Sequence, residues 1–157
     1  MSDQHPGFSL NPSPVLEKVF NEVLEQRMQD MPLINRRVAV EAVGFEEWEG
    51  HWLGVLITPW FINLLLLRKD GSPWPQLELG KGNEINIAFP QGVYRFSPRE
   101  ETGVGRYLCC SLMSPLQEIK SHEEARGLAL DVMRVIRQLP VVQLDSQDAA
   151  QTTACRA

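Results

Sequence analysis

The chain has 157 residues, 43% hydrophobic and 22% charged, a composition that excludes an intrinsically disordered chain and fits one globular domain. Fifteen Lys and Arg against twenty Asp and Glu leave a net charge of −5. Binding to a phosphate backbone needs clustered positive charge, so nucleic acid is excluded as a partner.

Compartment follows from what the ends and the apolar runs lack. Met1 to Gly7 has no basic start and no apolar core, so no secretory signal is expected. The most apolar stretch, Leu53 to Leu67, is broken by Pro59 and Asn63 and falls short of the ~18–20 residues of a membrane helix, so no membrane insertion is expected. Cys109, Cys110 and Cys155 form no disulfide framework. A cytoplasmic, reduced protein is the expectation.

Residues 1–12 are polar, contain Pro6, Gly7 and Pro12, and read as a flexible lead-in. Ser13 then reads as an N-cap with Pro14 in the first helical turn, where its missing N–H costs nothing. Val15, Leu16, Val19, Phe20, Val23, Leu24 and Met28 follow at helical spacing, which predicts an amphipathic helix ending before Pro32. A weak alternation from Val38 to Val43 predicts a first strand, and Gly50 turns it into a second over His51–Ile57. Thr58-Pro59 ends that strand, because proline cannot donate to a ladder and restricts the residue before it. Phe61 to Leu67 is almost wholly apolar, as a strand buried on both faces should be.

Asp70-Gly71-Ser72-Pro73 is a turn, and Trp74 to Gly82 reads as a loop. Short strands are predicted over Glu84–Phe89, Gly92–Phe96 and Arg106–Met113, with Ser97–Gly105 as a connection. Ser121 and Glu124 form a capping box for a helix whose apolar stripe, Ala125 to Leu139, stops at Pro140. The order predicts a single α+β domain over residues 13–142: a mostly antiparallel sheet of about five or six strands, with an N-terminal and a C-terminal helix. Residues 143–157 are polar and aperiodic and read as a disordered tail.

The search for catalytic chemistry ends quickly. His5, His51 and His122 fall in the lead-in, at a strand edge and in a helix first turn, positions where a solvated surface histidine is the plain reading. His122-Glu123-Glu124-Ala125-Arg126 fails as a zinc-protease motif, because Arg126 stands where the second ligand belongs. Gly103-Val104-Gly105 precedes a strand and lacks the third glycine, so it makes no dinucleotide turn. Cys109 and Cys110 point to opposite faces of a strand and cannot easily share one metal, and no further Cys or His is near. No metal site, no cofactor and no enzyme are expected. What does stand out is four tryptophans, Trp48, Trp52, Trp60 and Trp74, close to Pro59, Pro73 and Pro75. Such rings either fill a core or anchor a partner.

The run from Glu49 through His51-Trp52-Leu53-Gly54 to Thr58-Pro59-Trp60 resembles the signature of the HybE family of nickel–iron hydrogenase maturation chaperones, the group that includes HupJ and HoxT. A second block, Gly103 through Tyr107-Leu108-Cys109-Cys110-Ser111-Leu112-Met113-Ser114-Pro115-Leu116, is similar to the same family's later motif. The likeness runs from about Phe8 to Val142 and gives out in the tail. It implies a non-enzymatic accessory protein that holds hydrogenase precursor subunits, small or large, until cofactors are in place and twin-arginine export is safe. It also implies a two-layer fold like that of secretion chaperones. Trp52, Thr58, Pro59, Trp60, Cys110, Met113 and Pro115 are the candidate partner-binding residues.

Two other readings remain at this point, a cysteine-based redox or metal-delivery role and a small-ligand pocket around Trp52 and Trp60. For a chaperone, Trp60 would be an aromatic anchor at a sheet corner. The acidic run Glu46-Glu47-Trp48-Glu49 would lie at the far end of the same hairpin, and a precursor segment would add as a strand along that edge.

Overall fold

The structure is a computed structural model that describes residues 7–32, 34–114 and 116–137. Helix α1 (Ser13–Arg27) precedes strands β1 (Glu41–Trp48), β2 (His51–Thr58), β3 (Phe61–Arg68), β4 (Ile85–Phe89), β5 (Gly92–Glu101) and β6 (Gly105–Met113), and helix α2 (His122–Arg137) follows. All neighbouring strands are antiparallel, in the order β1-β2-β3-β6-β5-β4. This is the predicted single α+β domain with six strands and two helices.

The layering differs from the two-layer expectation. Leu16, Val19 and Phe20 of α1 join Trp52, Leu56, Leu65, Tyr107 and Cys109 in one core. Ala125, Ala129, Met133 and Ile136 of α2 join Leu53, Val55, Leu64 and Leu108 in another. The residues of β2 and β3 alternate between these two cores, so α1 and α2 cover opposite faces and the sheet is the middle of three layers. The far end of the sheet curls onto the α2 side, where Phe89 of β4 stacks on Trp48 of β1 with ring centroids 4.6 Å apart.

The β1–β2 turn is Glu49-Gly50, with φ of 51° and 80°, the left-handed pair that a two-residue hairpin loop needs. The strand before it is displaced from its predicted place. β1 starts at Glu41 rather than Val38 and takes in the acidic residues Glu46 and Glu47. The cause is an irregularity between Val43 and Glu46, where Gly44 has φ 72°. It puts Val43 in the α2-side core and Phe45 in the α1-side core, although residues two apart normally share a face.

β5 is twice its predicted length. Its first half, Gly92–Phe96, pairs with β4, and Ser97–Glu101, expected to be a connection, pairs with β6. Pro98 is tolerated because β4 pairs no further than Phe96, which leaves β5 one free edge there.

The chain ends of the helices also carry corrections. Asn11, not Ser13, supplies the side-chain acceptor before α1: its Oδ1 takes the Ser13 N–H at 2.9 Å and the Ser13 hydroxyl at 2.7 Å. The lead-in is tied down where it is described. Phe8 N–H donates to the Arg68 carbonyl at 2.9 Å, and the Phe8 carbonyl accepts from Asp70 N–H at 3.1 Å and from the Trp52 indole at 2.8 Å. At α2 the Ser121 hydroxyl accepts the Glu124 N–H at 3.1 Å, while the Glu124 carboxylate takes the Lys120 N–H at 2.9 Å rather than that of Ser121. The predicted tail and the end of the second helix, residues 138–157, lie outside the described residues. Among the described residues no helix is long and apolar enough to cross a membrane.

Candidate functional site

The corner between β2 and β3 is built by Thr58. It is fully buried, and its hydroxyl accepts from the Phe61 N–H at 3.1 Å and the Trp60 N–H at 3.3 Å. Pro59 is buried beside it, and its carbonyl accepts the Asn35 N–H at 2.8 Å. Asn35 is itself buried, donating its amide to the carbonyls of Leu116 (2.7 Å) and Ile119 (2.8 Å). It therefore ties the segment before β1 to the corner and to the segment after β6. Held in this way, Trp60 is half-buried, its ring set edge-on to Phe61 at 5.7 Å.

Trp60 forms part of a cleft of about 270 Å³ between the C-terminal half of α1 and the sheet. Phe20 and Val23 of α1 and Trp60 of the corner line it, with Asn63, Tyr107 and Cys109 among the strand residues. Asn63 is 8% exposed and donates its amide to the Cys109 sulfur at 3.4 Å. Burial pushes the Cys109 thiol up, against the opposing pull of the nearby Arg99, and pushes the Cys110 thiol up as well. Both are held as neutral thiols, the unreactive form. The Tyr107 hydroxyl is likewise pushed up by burial.

The candidate residues named from the sequence do not form one patch. Thr58, Pro59 and Trp60 share the corner, and Met113, paired with Ile62, stands at the same end of the sheet but packs on the α2-side core. Cys110 is half-buried and faces that same side, opposite to the buried Cys109, as strand alternation predicts. Trp52 sits at the other end of β2 and is 8% exposed, with the Lys69 ammonium 5.9 Å from its ring centre. Trp52 and Thr58 thus shape the fold from inside and offer no surface. Pro115 lies outside the described residues.

Two histidines are not the solvated side chains expected. His51 is half-buried against the Trp74 ring at 5.1 Å. Burial holds it below the ordinary histidine range, with Arg68 adding to the effect and Glu49 opposing it. His122 accepts the Ala39 N–H at Nδ1 (3.2 Å), and its Nε2 lies 2.7 Å from the Glu41 carboxylate, which also takes Arg126 at 3.1 Å. Burial works to raise the Glu41 carboxyl, but hydrogen bonds from His122 and Arg126 outweigh it and hold the group low. This cluster fastens α2 to β1.

Strand addition along β1 is also contradicted. The Ala42 N–H already donates to the Glu17 carboxylate at 2.9 Å, and the Phe45 carbonyl accepts from Asn11 at 3.0 Å. Side chains from α1 and its lead-in thus occupy the edge that an incoming strand would need. Among the described residues no three His, Cys, Asp or Glu side chains gather in a way that would hold a metal ion.

Residues 11–157 match the family described as NiFe-hydrogenase assembly, chaperone, HybE. The chain belongs to this family. The match continues past Val142, where the sequence likeness was expected to give out. Among relatives, the hydrogenase-2 operon protein HybE of Escherichia coli K12 is 32% identical over 151 residues, covering 96% of this chain and 92% of that one. Protein HoxT of Cupriavidus necator is 35% identical, covering 80% and 75%. The solution structure of HybE from Escherichia coli matches with a TM-score of 0.69 at 32% identity, over 90% of this chain and 86% of that one. The HybE family is one of assembly chaperones rather than catalysts, and the sheet with two helices described above is its fold.

Proposed function

We propose that this protein is a cytoplasmic accessory chaperone for an uptake nickel–iron hydrogenase, holding precursor subunits until their cofactors are inserted and twin-arginine export can proceed. The observation that carries the reading is the family match over residues 11–157, which takes in both sequence blocks and both helices. The net charge of −5 supports it, because a basic export segment is drawn to an acidic surface. Trp60, held at the β2–β3 corner by the buried Pro59, is the anchor of the proposed contact region; Met113, at the same end of the sheet but on its other face, and Pro115, two positions further along the sequence, are kept as proposed contacts. The raised thiols of Cys109 and Cys110 speak against a thiolate-based redox role.

The test is capture of the tagged protein from hydrogenase-expressing cells, with bound chains identified by mass spectrometry. Recovery of an unprocessed hydrogenase subunit, absent when cells lack that precursor, is the expected result. Recovery of mature hydrogenase alone, or of no hydrogenase subunit, overturns the reading.

A further inference from the structure

Two arginines, Arg27 and Arg99, and two glutamates, Glu100 and Glu101, line the Trp60 cleft, but they do not all pair with one another. Arg27 and Glu101 close one side as an ion pair at 2.6 Å. Glu100, the other acidic residue of the lining, lies 3.5 Å from Arg106. Arg99, also in the lining, is exposed; its guanidinium donates to the Pro98 carbonyl at 3.4 Å, and it has no carboxylate within ion-pair distance among the described residues. An overall acidic chain therefore presents, at this one cleft, two satisfied carboxylates and an uncompensated guanidinium.

The floor adds a second demand. Asn63 is the polar interruption of the apolar run Phe61–Leu67 in β3. Its Nδ2 is engaged by Cys109, but its Oδ1 is buried and accepts no hydrogen bond from the described residues. A buried carbonyl without a donor is costly, and the last torsion of asparagine is soft enough to turn that oxygen toward an incoming N–H. The apolar part of the lining, Phe20 and Val23 of α1 with Trp60 of the corner, suits an apolar side chain.

We infer that this cleft binds an extended segment of a partner protein in which an apolar residue stands next to an acidic one. The apolar side chain enters between Phe20, Val23 and Trp60, a backbone N–H of the segment donates to Asn63 Oδ1, and the carboxylate pairs with Arg99. This rests on the chaperone reading for the identity of the partner, but the chemistry is set by the cleft. It also gives a polarity opposite to that of the acidic surface as a whole: basic segments are drawn to the protein at large, and this pocket selects an acidic one. An Arg fork is well matched to a carboxylate, so charge sign should decide binding here.

The test is a titration of the full chain, followed by proton–nitrogen correlation NMR, with the capped peptide Gly-Phe-Glu-Gly and its counterpart carrying Lys in place of Glu. The glutamate peptide should shift the Trp60 indole and the Asn63 side-chain amide saturably, with the lysine peptide about tenfold weaker. Arg99→Gln, a change at an exposed position, should weaken the glutamate peptide about tenfold and leave the two peptides equal, the effect of losing one charge-assisted pair. Equal binding of both peptides to the parent protein, or the absence of saturable shifts at Trp60 and Asn63, overturns the inference. Undiminished capture of a hydrogenase precursor by Arg99→Gln also overturns it while leaving the chaperone reading intact. Charge-selective peptide shifts in a protein that captures no precursor sustain the inference and defeat the chaperone reading.

Discussion

Gly54 sits in the middle of β2, opposite the Phe45 ring, and Gly54→Ala tests how tightly β1 is seated on the sheet. A Cβ built at this glycine lies 2.3 Å from Cδ1 and Cγ of Phe45 and 2.7 Å from Cδ2. Carbon atoms in contact prefer about 3.5–4.0 Å, so the ring would have to withdraw by roughly 1.2 Å. It has nowhere to go, since Phe45 is 6% exposed and packed in the α1-side core. Overpacking of this kind costs about 1–3 kcal/mol, and a ring that must move bodily belongs at the upper end. At about 2–4 °C per kcal/mol for a chain of this size, Gly54→Ala should lower the thermal midpoint by about 6–12 °C. The decisive comparison is the same change on a Phe45→Ala background. With the ring gone the clash is gone, and alanine in a strand is about 0.5–1 kcal/mol better than glycine, so Gly54→Ala should there be neutral or stabilising. Denaturation of the parent, both single variants and the double variant, by chemical denaturant, measures the cycle. Equal destabilisation on both backgrounds would show that the cost comes from the backbone, and the packing argument would fall.

Trp60→Ala should cost only about 1–2 kcal/mol of stability, below the ~3–5 kcal/mol of a core aromatic, yet reduce capture of a hydrogenase precursor more than tenfold; undiminished capture sinks the anchor role. Asn35→Ala removes the side chain that joins Arg37, Leu116 and Ile119, leaving two buried carbonyls without that donor, and should cost about 2–4 kcal/mol by chemical denaturation. A loss under about 1 kcal/mol would mean that water takes over its bonds. His51 is held below its ordinary value, so as pH falls through about 6.5 the unfolded chain takes up a proton that the folded one resists, and stability is lost from there downward. His51→Gln should therefore show a smaller fall in thermal midpoint between about pH 7.5 and pH 5.5 than the parent protein; an equal fall would place the acid sensitivity elsewhere.

Much of the fold is legible because single residues force it. Pro59 cannot continue a ladder, and Thr58 has a hydroxyl suited to accepting the N–H groups beyond it, so the β2–β3 corner is written in two adjacent residues. The two-layer expectation missed the layering, although the residues that decide it are local. A strand reading Phe61-Ile62-Asn63-Leu64-Leu65-Leu66-Leu67 is apolar on both faces and needs a cover on each, and only α1 and α2 can supply them. The register of β1 was not legible, because a bulge at Gly44 exchanges the faces midway and period-two reading fails across it. Neither was the length of β5, where Pro98 looks like an end until it is known that β4 has already stopped pairing.

The candidate site divides along the same line. Its apolar anchor follows from local sequence, since a tryptophan directly after Pro59 at a chain corner is held out of the strand on either side. Its polar part does not, because it is assembled from distant positions. Arg27 meets Glu101 across 74 positions of chain, and only that pairing, together with Arg106 beside Glu100, makes Arg99 the uncompensated charge of the cleft. Asn63 is visible in the sequence as the polar break in the run Phe61–Leu67. What makes it informative is Cys109 opposite, which engages one half of the amide and leaves the other buried without a partner. A polar residue placed in a Leu-rich central strand is destabilising unless something satisfies it, so its position marks where the fold gives up stability and where a bound segment has most to gain.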